Sequence, residues 1–271
     1  MKLTAENYFS PETNLEYMSA SQFKAFRACE AAALAELRGE WKRSETPALR
    51  LGSYVDAVLT GDAERYRIEH PELFKRDGSL KAEYQSAQEA AERLQRDELA
   101  CMLLAGRHQA IKTGKIGGVR FKAKMDSLLS AAQVEKICRA FPKMRSLVPL
   151  GGPVIVDLKY MRDFAPIWSD EYQDRISFAE YWGYDIQGAI YQALDKRNAP
   201  FLILGVTKES EPDIDVFHIP DDVLNLSLAE VTENSPRYDA IKRGKIAPEG
   251  CGKCAYCRHV KKLMGPRHYK A

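Results

Sequence analysis

The spacing of apolar positions changes several times along the chain, and each change marks a predicted element. Residues 17 to 38, YMSASQFKAFRACEAAALAELR, open on serines suited to an N-cap and run into alanine, leucine and glutamate. That pattern predicts one helix carrying Cys29. A shorter helix is predicted in PALRLGSYVDAVLTG, with Pro47 in its first turn and Gly61 as its stop. Residues 80 to 104, rich in Ala, Glu, Gln, Leu and Arg, predict a long surface helix. The texture then alternates: GKIGGVRFKAKMDSLLS sets basic residues between apolar ones after a glycine-rich turn. This is the period of a strand with one wet face, and Asp126 lies near its end. QVEKICRAFPKMRSL fits either a helix or an insertion between strands.

PVIVDLKYM follows glycines and predicts a buried strand, because Val154, Ile155 and Val156 form a β-branched run. Asp157 and Lys159 are on it. Ser177 is placed to cap a helix running to Asn198, which has basic residues in its last turn. FLILGVTKE and DIDVFHIP predict two strands joined by a turn at Glu211 and Pro212, antiparallel if paired. A short polar helix around residues 221 to 243 leads to a cysteine segment, and no internal repeat interrupts the order. The expected fold is α/β, a small mixed sheet flanked by helices with an N-terminal helical extension. It is expected as one domain: 1–110 mainly helical, 111–220 the α/β core, and 221–271 the C-terminal helix and cysteine segment.

Composition narrows the class. A chain of 271 residues, 45% hydrophobic and 29% charged, can bury a substantial core. No apolar run approaches the roughly 20 residues needed to span a bilayer, and MKLTAENYFSPE lacks the apolar stretch of a secretory signal, so a cytoplasmic protein without a membrane partner is expected. The net charge of +2 neither demands nor excludes a polyanionic partner. Basic residues do cluster at the end, in Lys253, Arg258, His259, Lys261, Lys262, Arg267, His268 and Lys270. That tail suits a phosphate backbone, and a solvated basic terminus accounts for it equally well.

Hydrolysis of a phosphodiester calls for a hard cation, Mg²⁺ or Mn²⁺, held by converging carboxylates. Residues two apart on a strand share a face, so Asp157 and Lys159 project together. Asp157 can hold metal while Lys159 positions or deprotonates a water. Asp126, on a strand expected to pair with theirs, can supply the second carboxylate. An Asp-x-Lys triplet alone is also what a surface ion pair looks like. The buried β-branched run before Asp157 favours the functional reading. Glu40, Trp41 and Lys42 form a similar triplet without such a strand, and are read as a decoy. Gln187 and Tyr191, four apart, lie on one face of their helix.

The order Asp126, then hydrophobic-Asp157-x-Lys159, then Gln187-x-x-x-Tyr191 resembles the RecB-like branch of the PD-(D/E)XK nuclease superfamily. That resemblance implies a restriction-endonuclease-like core. The acidic residues would bind one or two divalent metals, Lys159 would assist the nucleophilic water, and Gln187 and Tyr191 would organise the DNA-proximal helix. Over most of the chain the wording is similar to phage and prophage RecE-type exonucleases, in MSASQFKAFRACEAAALAEL, LRLGSYVDAVLTGD, WGYDIQGAIYQ and CGKCAYC. The implied reaction is 5′-to-3′ digestion of one strand of linear duplex DNA. Its implied partners are double-stranded DNA ends and a RecT-like annealing protein, and its implied assembly is a ring tetramer. Many RecB-like nucleases carry a Gly-x-x-x-His element, where this chain has Gly52, Ser53, Tyr54, Val55 and Asp56. Asp56 then stands as a substitute oxygen ligand, or as a residue of the helix surface. Lys208, between Thr207 and Glu209, reads as a phosphate contact or a solvated strand end.

The six cysteines divide into two groups. Cys101 and Cys138 read as small buried hydrophobes. Cys251, Cys254 and Cys257 put three thiols within seven residues, a density suited to a tetrahedral S₄ site or a cubane. Some RecB-like nucleases close an iron-sulfur cluster with one N-terminal and three C-terminal cysteines. The resemblance thus implies Cys29 as fourth ligand of a [4Fe-4S] cluster, with zinc as the alternative, and a zinc knuckle using His259 or a metal-free tail as the remaining readings. Two functional rivals stand beside the duplex exonuclease: a RecB-like nuclease trimming single-stranded ends, as in CRISPR adaptation, and a non-catalytic DNA-binding protein built around a cysteine-bound metal.

Overall fold

The computed structural model describes residues 3–42, 47–148, 151–263 and 265. The helical N-terminal part comprises α1 (Pro11–Glu16), α2 (Ala20–Ala28), α3 (Glu30–Leu37), α4 (Pro47–Leu59), α5 (Ala63–Glu69), α6 (Ala82–Gln95) and α7 (Glu98–Leu104). There follow β1 (Arg107–Ile116), β2 (Val119–Leu129), α8 (Ala131–Ala140) and β3 (Val154–Met161). A small hairpin, β4 (Ile167–Ser169) and β5 (Asp174–Ile176), precedes α9 (Phe178–Tyr181) and α10 (Tyr184–Asp195). The chain then forms β6 (Phe201–Thr207), β7 (Ile214–Ile219), α11 (Asp221–Lys242) and α12 (Ala255–His259).

One mixed sheet, in the order β1-β2-β3-β6-β7, organises these elements. β3 and β6 pair in parallel, and the other neighbours are antiparallel. The parallel pair follows from the crossover through α10, since two parallel neighbours need a long connection across one face. Helices cover both faces. On one, Phe121, Ala123, Met125, Ile155, Phe201 and Ile203 pack under α2, α10 and α11. On the other, Leu129, Val154, Val156, Leu202, Leu204 and Val206 pack with Ala90, Leu94, Leu103 and Ile137 of α6, α7 and α8. No helix among the described residues is long and apolar enough to cross a membrane.

The mixed α/β sheet agrees with expectation, as do β3, the antiparallel β6–β7 pair and α11. The ambiguous QVEKICRAFPKMRSL is the helix α8, closed by a capping box between Ser130 and Gln133, followed by a 3₁₀ turn. Several other elements differ. The helix expected over 17–38 is two helices, because Cys29 is extended (φ −169°, ψ 107°) and is not helical. The helix expected over 80–104 breaks before Asp97, whose carboxylate caps α7 by accepting from the Ala100 N–H. The 177–198 helix breaks at Gly183, left-handed at φ 62°. β2 has no wet face. Even Lys122 is buried, donating to Tyr8 O, Thr13 Oγ1 and Asn14 Oδ1 of the N-terminal segment. Cys138 is buried, whereas Cys101 is exposed, its thiol directed at Gln95 O.

Candidate active site and cysteine site

The β2–β3 ladder runs from Leu129↔Val154 to Ser127↔Val156 and stops. Its next rung would set Asp126 opposite Asp157. Instead of a backbone bond, the Asp126 Oδ2 accepts the Leu158 N–H at 2.9 Å, so the strands part around the carboxylate. β2 also turns over here. Met125 packs on the α10 side, while Ser127, two residues on, donates to Leu103 O of α7 on the other side. Across from Asp126 on β1, between the rungs of His108 and Ala110, Gln109 adopts φ 51°, a left-handed conformation uncommon outside glycine. Strain of this kind clusters at sites where geometry matters.

Asp157 shares the α10 face of β3 with Ile155 and Met161, and this brings Gln187 within reach. Gln187 Nε2 donates to Asp157 Oδ1 at 2.7 Å. Asp157 Oδ2 is ion-paired with Lys159 and is otherwise unpartnered, although the residue is 1% exposed. Lys159 also lies over the Tyr184 ring, 4.8 Å from its centre. Tyr191, one turn beyond Gln187, donates its hydroxyl to Lys124 O at 3.2 Å, bracing β2 just before Asp126. The pair on α10 thus holds the two acid-bearing strands from one side.

The electrostatics follow from burial. Desolvation and the neighbouring Asp157 push the Asp126 carboxyl up to about 7. For Lys159, burial opposes the charge, but Asp157 and Asp126 outweigh it and hold its pKa above the ordinary lysine value. The Tyr191 hydroxyl is raised well above its usual value, chiefly by burial. Buried Asp157 and half-buried Asp126 share the Lys159 ammonium, so the group carries negative charge in excess once Asp126 ionises. The Asp157 oxygen met only by Lys159, with hard oxygen donors on both residues, fits a divalent cation such as Mg²⁺.

Sequence reasoning missed Lys24. From α2, its ammonium donates to Trp182 O at 3.0 Å and lies 5.6 Å from the Tyr184 ring centre. Burial first, and then the positive charge of Lys159, lower its pKa to about 8. It is a second cation beside the carboxylates, and FKAF in a helix gives no sign of it. His108 was missed too. Its Nε2 lies 3.2 Å from Asp56 Oδ1, and Gln109 Nε2 donates to Asp56 Oδ2 at 3.3 Å. Asp56 is close enough for its charge to raise Asp126 further, yet its oxygens are engaged with β1. Lys208 sits over the Tyr160 ring at 4.9 Å, while Thr207 Oγ1 donates to Glu209 and accepts from the Asp213 N–H. That triplet is therefore tied into its own turn. A groove of about 720 Å³ between the β4–β5 hairpin, α9 and α11 is lined by Arg27, Tyr172, Tyr181 and Leu226, but not by the Asp–Lys group.

The family model described as "PDDEXK-like domain of unknown function (DUF3799)" matches residues 19–135 and 143–260. The chain belongs to this family. Its PDDEXK-like fold is also that of a crystal structure from Eubacterium rectale named "Putative exonuclease". The two share 36% identity over 99% of this chain and 97% of that one, with a TM-score of 0.85. No curated protein matches.

Away from Asp126 and Asp157, Cys29, Cys251, Cys254 and Cys257 come together with all four Sγ atoms within 4.8 Å of one another. Cys29 reaches the others because it sits in the break between α2 and α3. The Lys253 and Cys254 N–H groups lower the Cys251 thiol to about 6. A Gly252 N–H favours the Cys257 thiolate, but burial and the Cys254 and Cys29 thiols push it up to about 12. Thiols this crowded shed their protons together only with a cation among them. Trp41, in the triplet read as a decoy, packs on Tyr256 and His259 beside this cluster. Lys253, Arg258, His259, Lys261 and Lys262 are exposed, and Arg267, His268 and Lys270 lie outside the described residues.

Proposed function

We propose that this protein is a divalent-metal-dependent exonuclease acting on the ends of linear double-stranded DNA. The observation that supports it most is the meeting of Asp126 and Asp157 at the end of the β2–β3 ladder, with Lys159 against them. The PDDEXK-like family and the name of the Eubacterium rectale relative point the same way.

Asp126 and Asp157 would hold Mg²⁺ or Mn²⁺, which when bound polarises the scissile phosphate and acidifies a water. Gln187 keeps the Asp157 carboxylate turned so that Oδ2 stays open beside Lys159. The Leu158 N–H does the same for Asp126. Lys159 sets a fixed positive charge where charge builds on the phosphate, and its amine is placed to orient the attacking water. Lys24, a short distance away on α2, supplies a cation for a neighbouring DNA phosphate. Gln187 and Tyr191 act through other groups and are positioning residues.

The finer features rest on the RecE-type resemblance. They are 5′-to-3′ polarity, a 3′ strand passed to a RecT-like annealing protein, a ring tetramer around the duplex, and action in the cytoplasm. The test is incubation with linear and covalently closed duplex DNA in Mg²⁺ or chelator, with either strand end-labelled. Linear DNA should be shortened from its 5′ ends only with metal present, and closed circles should survive. Circles cut as fast as linear DNA would refute exonuclease action, and preferential trimming of single strands would point to the CRISPR-adaptation type.

A further inference from the structure

We propose that Cys29, Cys251, Cys254 and Cys257 hold a single zinc ion in a tetrahedral S₄ site, and not the iron-sulfur cubane that the RecB-like resemblance implies. The spacing of the sulfurs decides between the two. Zinc–thiolate bonds of about 2.3 Å in a tetrahedron set neighbouring sulfurs about 3.8 Å apart. A cubane places four irons and four sulfides between its ligands and spreads the cysteine sulfurs to about 6.5 Å. Here every Sγ lies within 4.8 Å of every other, and Cys29 and Cys257 are 3.6 Å apart. All six pairs fall on the zinc side.

The backbone fixes that narrow spacing. The Cys254 N–H points at Cys251 Sγ at 3.3 Å, the Cys257 N–H at Cys254 Sγ at 3.4 Å, and the Cys251 N–H at Cys29 Sγ at 3.4 Å. Donors of this kind neutralise part of the charge on thiolates gathered around one ion. Gly250 leaves no slack, since a Cβ there would lie 3.1 Å from Cys257 Sγ. Gly252, left-handed at φ 73°, makes the tight return between the first two C-terminal cysteines. His259 is turned to the Trp41 ring, 5.1 Å between centres, and is not one of the converging ligands. Zinc loading exchanges thiol protons for the ion and moves no electrons.

The ion would tie the α2–α3 break to residues 251–257, and so anchor the helix that carries Lys24. This inference does not depend on the nuclease reading, because it is read by metal content and spectrum. The test is the full-length protein, produced with both iron and zinc supplied, purified without air, and analysed for metals and acid-labile sulfide. The expected result is about one zinc per chain, little iron or sulfide, and no broad brown absorbance. Replacement by Co²⁺ should give the strong visible bands of a tetrahedral cobalt thiolate. Cys257→Ser should lose the zinc while Cys101→Ser keeps it. Should Cys257→Ser not fold, titration of Cys101→Ser thiols with a mercurial should release the zinc as about four thiols react. Near-stoichiometric iron and sulfide with a brown spectrum, or a protein with no metal, would overturn the proposal.

Discussion

Replacing Asp126 by Asn separates the two consequences of burying a carboxyl beside Asp157. The amide keeps an oxygen to accept the Leu158 N–H and removes the charge. The carboxyl is raised from 3.8 to about 7 in the fold, so ionising it there costs about 4 kcal/mol more than in the unfolded chain. With a folded pKa above the unfolded one, the native state binds more protons between pH 4 and 7, so this stabilising contribution is full below pH 4 and lost as pH rises through 7. In chelator at pH 8, Asp126→Asn should therefore be more stable than wild type by about 1–3 kcal/mol, the full figure being reduced by water reaching the opened site. The gain should shrink to nothing near pH 4. Urea unfolding at pH 4, 6 and 8 in chelator reads this, and Mg²⁺ should stabilise wild type but not the variant. A variant no more stable than wild type at pH 8, or a difference unchanged with pH, would show that the fold does not raise the Asp126 carboxyl.

Gln187→Ala frees Asp157 Oδ1 and should lower kcat about 10- to 100-fold with KM little changed, as measured by steady-state digestion, because it disturbs the carboxylate proposed to hold metal without touching DNA. Lys24→Ala should weaken DNA binding by about tenfold or more, read by fluorescence anisotropy, and flatten its salt dependence, with Lys24→Arg restoring most of both. Gly188→Ala should destabilise the fold by about 1–3 kcal/mol in thermal unfolding, since the new Cβ would lie 2.6 Å from Phe201 Cδ1 and 2.9 Å from Leu224 Cδ2. Tyr191→Phe should cost about 1 kcal/mol through loss of the bond to Lys124 O, with a smaller effect on kcat than Gln187→Ala.

Elements with one repeated signal were legible in the sequence. The β-branched run before Asp157 marks a strand buried on both faces, and that is where β3 lies. The polar segment 221–243 reads as a helix and is one. The breaks were not legible, because their causes are tertiary. Cys29 stands in sequence that favours helix on both sides, and leaves it where its thiol meets cysteines more than 220 residues away. Gly183 did offer a local clue, being the residue type that most easily turns left-handed between two helical stretches. β1 was missed because it is an edge strand whose burial alternates poorly. Asp157 and Lys159 could be paired from their spacing alone. What brought Asp126 to them was the end of a ladder, and what brought Lys24 was the packing of α2 against the α9–α10 break, neither of which leaves a pattern along the chain.

On the proposed function, the Asp126, Asp157 and Lys159 group cuts DNA. The most direct measurement is single-turnover digestion of end-labelled linear duplex by wild type and Lys159→Ala, with Mg²⁺ and saturating protein, beside DNA binding in chelator. Cleavage should be slowed by about a thousandfold or more in Lys159→Ala, with binding within a few-fold of wild type. Cleavage by Lys159→Ala at the wild-type rate would contradict it.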